Sequence, residues 1–414
     1  MRGILIAPSS LLLALAFAPA AAQQQPLTRV SLDDALGLAL RQSPTVRAKE
    51  AEVQSSKAAQ TTAALRPNPT ATYAAEQFGA SGIDPQHTVI ISQTLELGGK
   101  RQRRIDAAQA ATRVTGHQLE DVRRQTILQV KTAFNNAVVA LAALALAEEN
   151  LKTLDETERL QRVRVSKGDL APLELTRIEV QRFAFERDAA DARAALETAK
   201  IALRTAAGSE GFAKDFEVDG NLEFRDILLD HEALVRQALA SRPDLRAAET
   251  DQERAKADHA LARANAWWDI APQIEYQRIG PDNTVGVGIS MPLRIFDRNQ
   301  GEIARTRSEI ERVAAVRRAT ELQVLNDVNT DFTAYRTQRM RVLMLRDTYL
   351  PKAQEARDIV EYAYRRGGQS LLDFLDAQRS YRETALAHLQ ALGAYWGAIY
   401  QLEADIGRPL DGGP

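Results

Sequence analysis

The chain has 414 residues, 45% hydrophobic, 6% aromatic and 26% charged, with 22 Gly and 15 Pro. A formal net charge of -2, from 53 basic and 55 acidic side chains, gives no electrostatic ground for a nucleic-acid partner. Cysteine is absent, which excludes disulfides, thiolate metal sites and a lipidated N-terminal cysteine, and the scarcity of Gly and Pro beside abundant Ala, Leu, Arg, Glu and Gln predicts long helices packed along seams.

Met1-Arg2, the apolar run through Leu11-Leu12-Leu13-Ala14-Leu15-Ala16-Phe17-Ala18, and small residues at Ala20 and Ala22 predict a signal peptide over residues 1–22. The run is shorter than the ~20 residues of a spanning helix and ends in Gln23-Gln24-Gln25. Ser31 and Asp34 carry capping chemistry for a first helix, expected to continue past Pro44, kinked there, to about Leu65. Arg66-Pro67-Asn68-Pro69 stops it.

Ala71, Tyr73 and Ala75 then alternate with polar neighbours, and Val89, Ile91, Leu95 and Leu97 do so after a loop. This predicts a hairpin over about 70–97 with one apolar and one polar face. From Lys100 a helical pattern runs to about Lys167, on the order of 100 Å at the α-helical rise. Ile127, Val130, Phe134, Ala137, Leu141, Leu144 and Leu151 follow a heptad spacing along it. The Ala-rich run from Ala137 to Ala147 has about half the length needed to span a bilayer, so strands are expected to do any crossing. Gly168-Asp169-Leu170-Ala171-Pro172 reverses the chain, and a return helix ends at Gly208.

The second half repeats this plan. Ser43-Pro44-Thr45-Val46-Arg47-Ala48-Lys49-Glu50 returns as Arg242-Pro243-Asp244-Leu245-Arg246-Ala247-Ala248-Glu249, and Gly168 and Gly208 return as Gly367 and Gly407, each 199 positions on. Such a period is far beyond the ~20–50 residues of solenoid units and marks a duplicated half. The expected division is a first repeat over 23–208, a linker over 209–230, a second repeat over 231–408 and a tail over 409–414. The second hairpin, about 273–295, alternates Val285, Val287, Ile289, Met291 and Leu293 with Gly286, Gly288, Ser290 and Arg294. Its long helix is expected over about 300–366, and Trp267, Trp268 and Phe296 mark one end of the hairpin as an aromatic girdle would. Four strands with an apolar outer face are too few for a membrane barrel, which starts at about eight, so several chains must share one. A small water-soluble sheet packed on helices is the alternative.

In this order and in both halves, Leu65-Arg66-Pro67-Asn68-Pro69, Ser92-Gln93-Thr94-Leu95-Glu96-Leu97-Gly98-Gly99-Lys100-Arg101, Ser290-Met291-Pro292-Leu293 and Ser370-Leu371-Leu372-Asp373-Phe374-Leu375-Asp376-Ala377-Gln378 resemble the TolC-like outer-membrane efflux proteins across the whole mature chain. The Leu-Glu-Leu-Gly-Gly-Lys-Arg stretch looks most like the cobalt-zinc-cadmium, heavy-metal branch. The resemblance implies a mainly α chain whose tandem helical hairpins build a trimeric α-barrel through the periplasm. Four strands per chain would join a shared twelve-strand barrel in outer-membrane lipid. It implies a homotrimer that takes substrate from an inner-membrane resistance-nodulation-division pump through a periplasmic adaptor (membrane fusion) protein, with no cofactor.

By the same resemblance Asp373 and Asp376 match the acidic periplasmic gate, where threefold repetition gathers about six carboxylates around the axis. Read alone, the two form an ordinary solvated acidic face in a helix's first turn. Tyr364 and Glu174 match positions that lock neighbouring helices, and Gln369 replaces a tip arginine. Gly168, Asp169, Leu170, Gly367, Ser370 and Leu371 match adaptor contacts, although a plain turn also needs the glycines.

His87, His117, His231, His259 and His388 share no ligand-pair spacing, so no metal site is expected. No nucleophile elbow, phosphate loop or zinc signature points to an enzyme. Lys100, Arg101, Arg103 and Arg104, and Arg294 with Arg298, read as solvated helix starts at the membrane junction. The alternatives are an outer-membrane channel for drugs or other small molecules and, from another class, an exported coiled-coil structural or adaptor protein without a pore.

Overall fold

The computed structural model describes residues 27–79, 81–208 and 211–410. The expected signal peptide and the end of the 409–414 tail lie outside the described residues.

Strand β1, Leu27–Val30, leads to helix α1, Leu32–Gln42, whose cap is the one the sequence predicts. Asp34 N–H donates to Ser31 Oγ, and the Ser31 amide donates to Asp34 Oδ2, both at 3.2 Å. The helix does not continue through Pro44. Ser43 is extended (φ -56°, ψ 122°), and α2, Pro44–Ala64, starts afresh with proline in its first position. The proline ring disfavours the α conformation for the residue before it. The second repeat obeys the same rule: Arg242 (φ -62°, ψ 121°) separates α5, His231–Ser241, from α6, Pro243–Asn265.

Helix α3, Lys100–Ser166, is 67 residues long, about 100 Å. Helix α4, Pro172–Ala207, returns along its tip half while α2 lies along the other half. The predicted seam holds through Val130, Phe134 and Ala137, but Leu141 is exposed. Part of α3 is also long and apolar enough to cross a membrane by length and composition, contrary to the sequence estimate. Packing accounts for that composition. Val130, Phe134, Ala137 and Val138 join Val30, Leu38, Leu203, Phe212 and Phe216 in one buried cluster.

That cluster rests on a feature absent from the sequence reading. Within the segment expected to be a linker, β4, Phe212–Val218, pairs in parallel with β1, with Leu27 opposite Phe212 and Val30 opposite Val218. The rest of the linker is pinned to the second repeat. The Tyr395 hydroxyl donates to the Arg225 carbonyl at 2.6 Å, and Trp396 Nε1 donates to that of Glu223 at 2.9 Å.

The second long helix is interrupted. Helix α7, Gln300–Met344, passes through a π turn at Leu345–Tyr349 into α8, Leu350–Arg365, where the Leu350 amide donates five residues back to Leu345. Pro351 has no N–H to continue the α ladder. The extra residue is visible in the repeat. Val130-Lys131-Thr132-Ala133-Phe134 matches Val328-Asn329-Thr330-Asp331-Phe332 at a spacing of 198, whereas Gly168 and Gly367, beyond the π turn, are 199 apart. A π bulge absorbs one inserted residue without breaking the rod. Helix α9, Leu371–Ile406, closes the repeat.

The strands β2, Thr70–Glu76, β3, Gln86–Ser92, β5, Ala271–Ile279, and β6, Asp282–Ser290, form one antiparallel sheet in that order. Each hairpin is shorter than predicted. Leu95 makes only an isolated bridge to Ile270, and the second hairpin stops before Pro292, which cannot donate to a ladder. The register aligns Tyr73, Val89, Tyr276 and Val285 in one row and Ala71, Ile91, Ile274 and Val287 in the next. The large side chains of both rows are exposed, Val287 at 86%. The opposite face carries Thr88, Gln277 and Thr284, and Ser92, Gln273 and Gly288. No helix covers the apolar face among the described residues, which disfavours a sheet packed on helices.

Candidate functional site

The tip is built from two turns of the same design. Gly168 (φ +79°) donates to Val165 at 3.0 Å while Asp169 donates to Arg164 at 2.9 Å. Gly367 (φ +81°) donates to Tyr364 at 3.0 Å while Gly368 donates to Ala363 at 2.9 Å. Both are Schellman caps, which require a left-handed residue that glycine adopts without a Cβ penalty. Asp169 and Gln369 are exposed beside them, and Leu170 is half-buried.

Apolar contacts bring the two tips together. Leu154, Ile178 and Phe185 of the first repeat share a buried cluster with Tyr364, Leu371 and Phe374 of the second. The Tyr364 ring stacks on Phe374, with centroids 5.0 Å apart and planes at 13°. Its hydroxyl is buried and has no hydrogen-bond partner among the described residues. Burial pushes this phenol up to about 12, with nearby Arg164 opposing the rise and Glu174 adding to it. The Glu174 carboxylate accepts from Arg177 at 3.1 Å rather than from Tyr364.

Asp373 and Asp376 share the exposed face of α9's first turns, in two different states. Asp373 closes a capping box. Its amide donates to Ser370 Oγ at 3.2 Å, and its carboxylate accepts from the Ser370 amide at 3.2 Å and hydroxyl at 2.6 Å. It repeats the Ser31–Asp34 cap, so this carboxylate has a structural use. Asp376 instead meets Arg379 at 2.5 Å in an exposed pair. Leu371, matched to an adaptor contact, is buried in the tip cluster, whereas Ser370 and Gly367 lie exposed at the turn.

At the other end of the stalk Arg101, Arg103 and Arg298 are exposed as a solvated helix start would be, but Lys100 and Arg104 are not. The Lys100 side chain is 5% exposed and reaches Asp269 at 2.7 Å, linking the first repeat to the second. The same carboxylate accepts from the Leu97 amide at 3.0 Å. Glu96 pairs with Arg104, whose guanidinium is held further above its ordinary range chiefly by that bond, and Arg104 also donates to the Leu65 carbonyl at 3.1 Å. Arg101 donates to the Ala64 carbonyl at 2.7 Å. Asn299, left-handed at φ +62°, donates to Ala262 at 2.7 Å. Each long helix is thus tied at its start to the end of the short helix before it. The start of the helix at Lys100 was legible, but nothing in the sequence marked Asp269 as the partner of Lys100.

Trp267 packs onto Gly98, where a Cβ would come within 2.9 Å of the tryptophan. Trp267, Trp268 and Phe296 are all exposed, Phe296 at 89%. Among the described residues no group of three His, Asp or Glu side chains is arranged to hold a metal ion.

A family model described as outer membrane efflux protein matches residues 35–209 and 234–408. The chain is 26% identical to the cobalt-zinc-cadmium resistance protein CzcC of Cupriavidus metallidurans, over 92% of this chain and 90% of that one. It is 27% identical to the nickel and cobalt resistance protein CnrC of the same organism, over 67% and 66%. The open-state MtrE outer membrane channel of Neisseria gonorrhoeae has the same fold, with TM-score 0.77 over 91% of this chain and 89% of that one at 20% identity. Duplicated stalks, a sheet with an uncovered apolar face and the two-part family match agree, and the chain belongs to the outer membrane efflux proteins, TolC-like channel proteins of the outer membrane that extend into the periplasm.

Proposed function

We propose that three copies of this chain assemble into one conduit, with about twelve strands closing a barrel in the outer membrane and the helices forming a periplasmic tube. The observation that carries this reading is the four-stranded sheet itself. It exposes aligned apolar rows on one face, and its outer strands, β2 and β6, each have one edge unpaired among the described residues. An unpaired edge is untenable in lipid, and neighbouring copies would satisfy it. Trp267, Trp268 and Phe296 would sit at the headgroup level, where amphipathic and aromatic rings collect.

The substrate we assign is heavy-metal cations, of the kind named for CzcC and CnrC, delivered by an inner-membrane pump through a periplasmic adaptor at the two tip turns. The conduit needs no tight ligands, since a transported ion must leave as readily as it enters. Asp376, exposed at the tip and opposed by Arg379, would set the cation preference of the entrance, while Asp373 chiefly holds the start of α9. Tyr364, Glu174 and Gln369 would support the closed tip, and Gly168, Asp169, Leu170, Gly367 and Ser370 would shape the adaptor contact, with Leu371 anchoring that turn from within the buried cluster.

Outer-membrane fractionation followed by planar-bilayer conductance tests the channel. A non-conducting protein absent from that fraction would end this reading. Asp376→Asn should weaken block of the pore by divalent cations more than Asp373→Asn does. Deletion of the gene should lower tolerance to zinc, cobalt or cadmium, and unchanged tolerance to all three would remove the metal assignment while leaving the channel.

A further inference from the structure

The helix break at Arg242 places one guanidinium among several carboxylates. Arg242 Nη2 donates to Asp327 of α7 at 2.6 Å, and Nε donates to the two oxygens of Asp244 at 3.0 and 3.1 Å. Its remaining contact, to Asp405 Oδ1 near the end of α9, is long at 3.4 Å. Asp405 is only 3% exposed. Its other oxygen, Oδ2, is buried and lacks a conventional donor among the described residues. Asp331, one turn along α7 from Asp327, lies within hydrogen-bond reach of Asp405. A buried carboxylate oxygen with no donor is costly, and two carboxylates in contact cannot both remain ionised without further cost.

We infer that Asp331 and Asp405 hold one proton between them, making the Arg242 elbow a proton-dependent latch between α9, α7 and the α5–α6 joint. The shared proton supplies the donor that Oδ2 lacks and leaves Arg242 free to satisfy Asp327 and Asp244. Other charges near the end of α9 are already engaged. Lys131 of α3 meets Glu403 at 2.6 Å, and Arg124 of α3 donates to the Ala404 carbonyl at 3.1 Å while pairing with Asp121 at 2.7 Å. Burial and then Asp331 raise the proton affinity of Asp405, and Arg242 opposes them. Asp331 is likewise raised, chiefly by burial, with the Asp405 hydrogen bond opposing. Both carboxyls thus move in the direction a shared proton requires.

The first repeat has no such device. Ser43 stands for Arg242, Ala133 for Asp331 within the matched Val-x-Thr-x-Phe segments, and Ala206 for Asp405. The latch therefore belongs to the second repeat alone. Because the folded chain binds this proton more tightly than the unfolded chain, its stabilising effect is full on the acid side and is lost as pH rises through the raised folded value.

Infrared titration of the detergent-solubilised channel, with unfolding midpoints measured in parallel between about pH 5 and pH 9, tests the latch. A protonated-carboxyl carbonyl band should persist at neutral pH and disappear on alkalisation, with stability falling across the same range. Asp405→Asn supplies a carboxamide donor to Asp331 and should remove one carboxyl from that band and flatten the pH dependence of the midpoint. Asp331→Asn serves as the second variant if Asp405→Asn does not fold. Absence of a protonated carboxyl in the unmodified channel at neutral pH would overturn the inference, as would an unchanged band and pH slope in either folded variant.

Discussion

Replacing Tyr364 by Phe isolates one atom at the tip. The ring and its contacts survive: the stack on Phe374 and the shared cluster with Leu154, Ile178, Phe185 and Leu371 involve only carbon. What disappears is a buried hydroxyl with no partner among the described residues. An unsatisfied buried polar group costs about 1–3 kcal/mol, so Tyr364→Phe should stabilise the tip by about 1 kcal/mol or more. Tyr364→Ala, which also empties the ring's volume, should destabilise it by about 3–5 kcal/mol. The pH dependence follows from the same burial. A phenol raised to about 12 holds its proton more tightly when folded, so its contribution is complete below about pH 10 and is lost between there and 12. Tyr364→Phe should shrink that alkaline loss. Amide exchange across 363–374 reads the local opening free energy directly. A loss of 1 kcal/mol or more in the Phe variant, or a conductance increase, would refute the reasoning, because the hydroxyl would then have a partner, such as Glu174 or a neighbouring copy.

Four further substitutions probe other levels of the structure. Val287→Arg, at the centre of the exposed apolar row on β6, should cost about 2–4 kcal/mol in lipid, with little loss of helical circular dichroism; undiminished folding into liposomes would count against a lipid-facing row. Asp269→Ala leaves the Lys100 charge buried and should lower stability by about 3–5 kcal/mol, partly recovered by exchanging the two charges, and a loss below about 1 kcal/mol would mean the pair holds nothing. The same Gly→Ala change should act with opposite signs at two glycines that both have open space around a new Cβ. Gly367→Ala should cost about 1–2 kcal/mol because of its left-handed backbone, whereas Gly116→Ala inside α3 should gain up to about 1 kcal/mol, as thermal unfolding of the two variants would reveal.

The elements legible from sequence are those fixed by short-range physics. Alternating Val285, Val287 and Ile289 implied a two-faced strand, Gly168 and Gly367 implied chain reversals, and Ser31 with Asp34 implied a cap, because each depends on residues within a few positions. Ser370, matched to an adaptor contact, and Asp373, matched to a gate, form the same cap with each other. Pro44, expected to kink a helix, starts a new one, and Pro351 accompanies a π turn that the helical pattern over 300–366 did not mark.

The sequence by itself determined the duplication, the two hairpins, the long rods and the places where the chain reverses, since periodicity and backbone preference are properties of neighbouring residues. Only the tertiary structure decided which hairpin edges meet, β3 to β5, and that a segment read as linker pairs β4 with β1. It also decided that Lys100 is buried against Asp269, that Asp405 is enclosed with Asp331, and that the Tyr364 hydroxyl faces no partner among the described residues. Those outcomes depend on which distant surfaces exclude water together, and a charge in a linear sequence carries no mark of whether it will be solvated or enclosed.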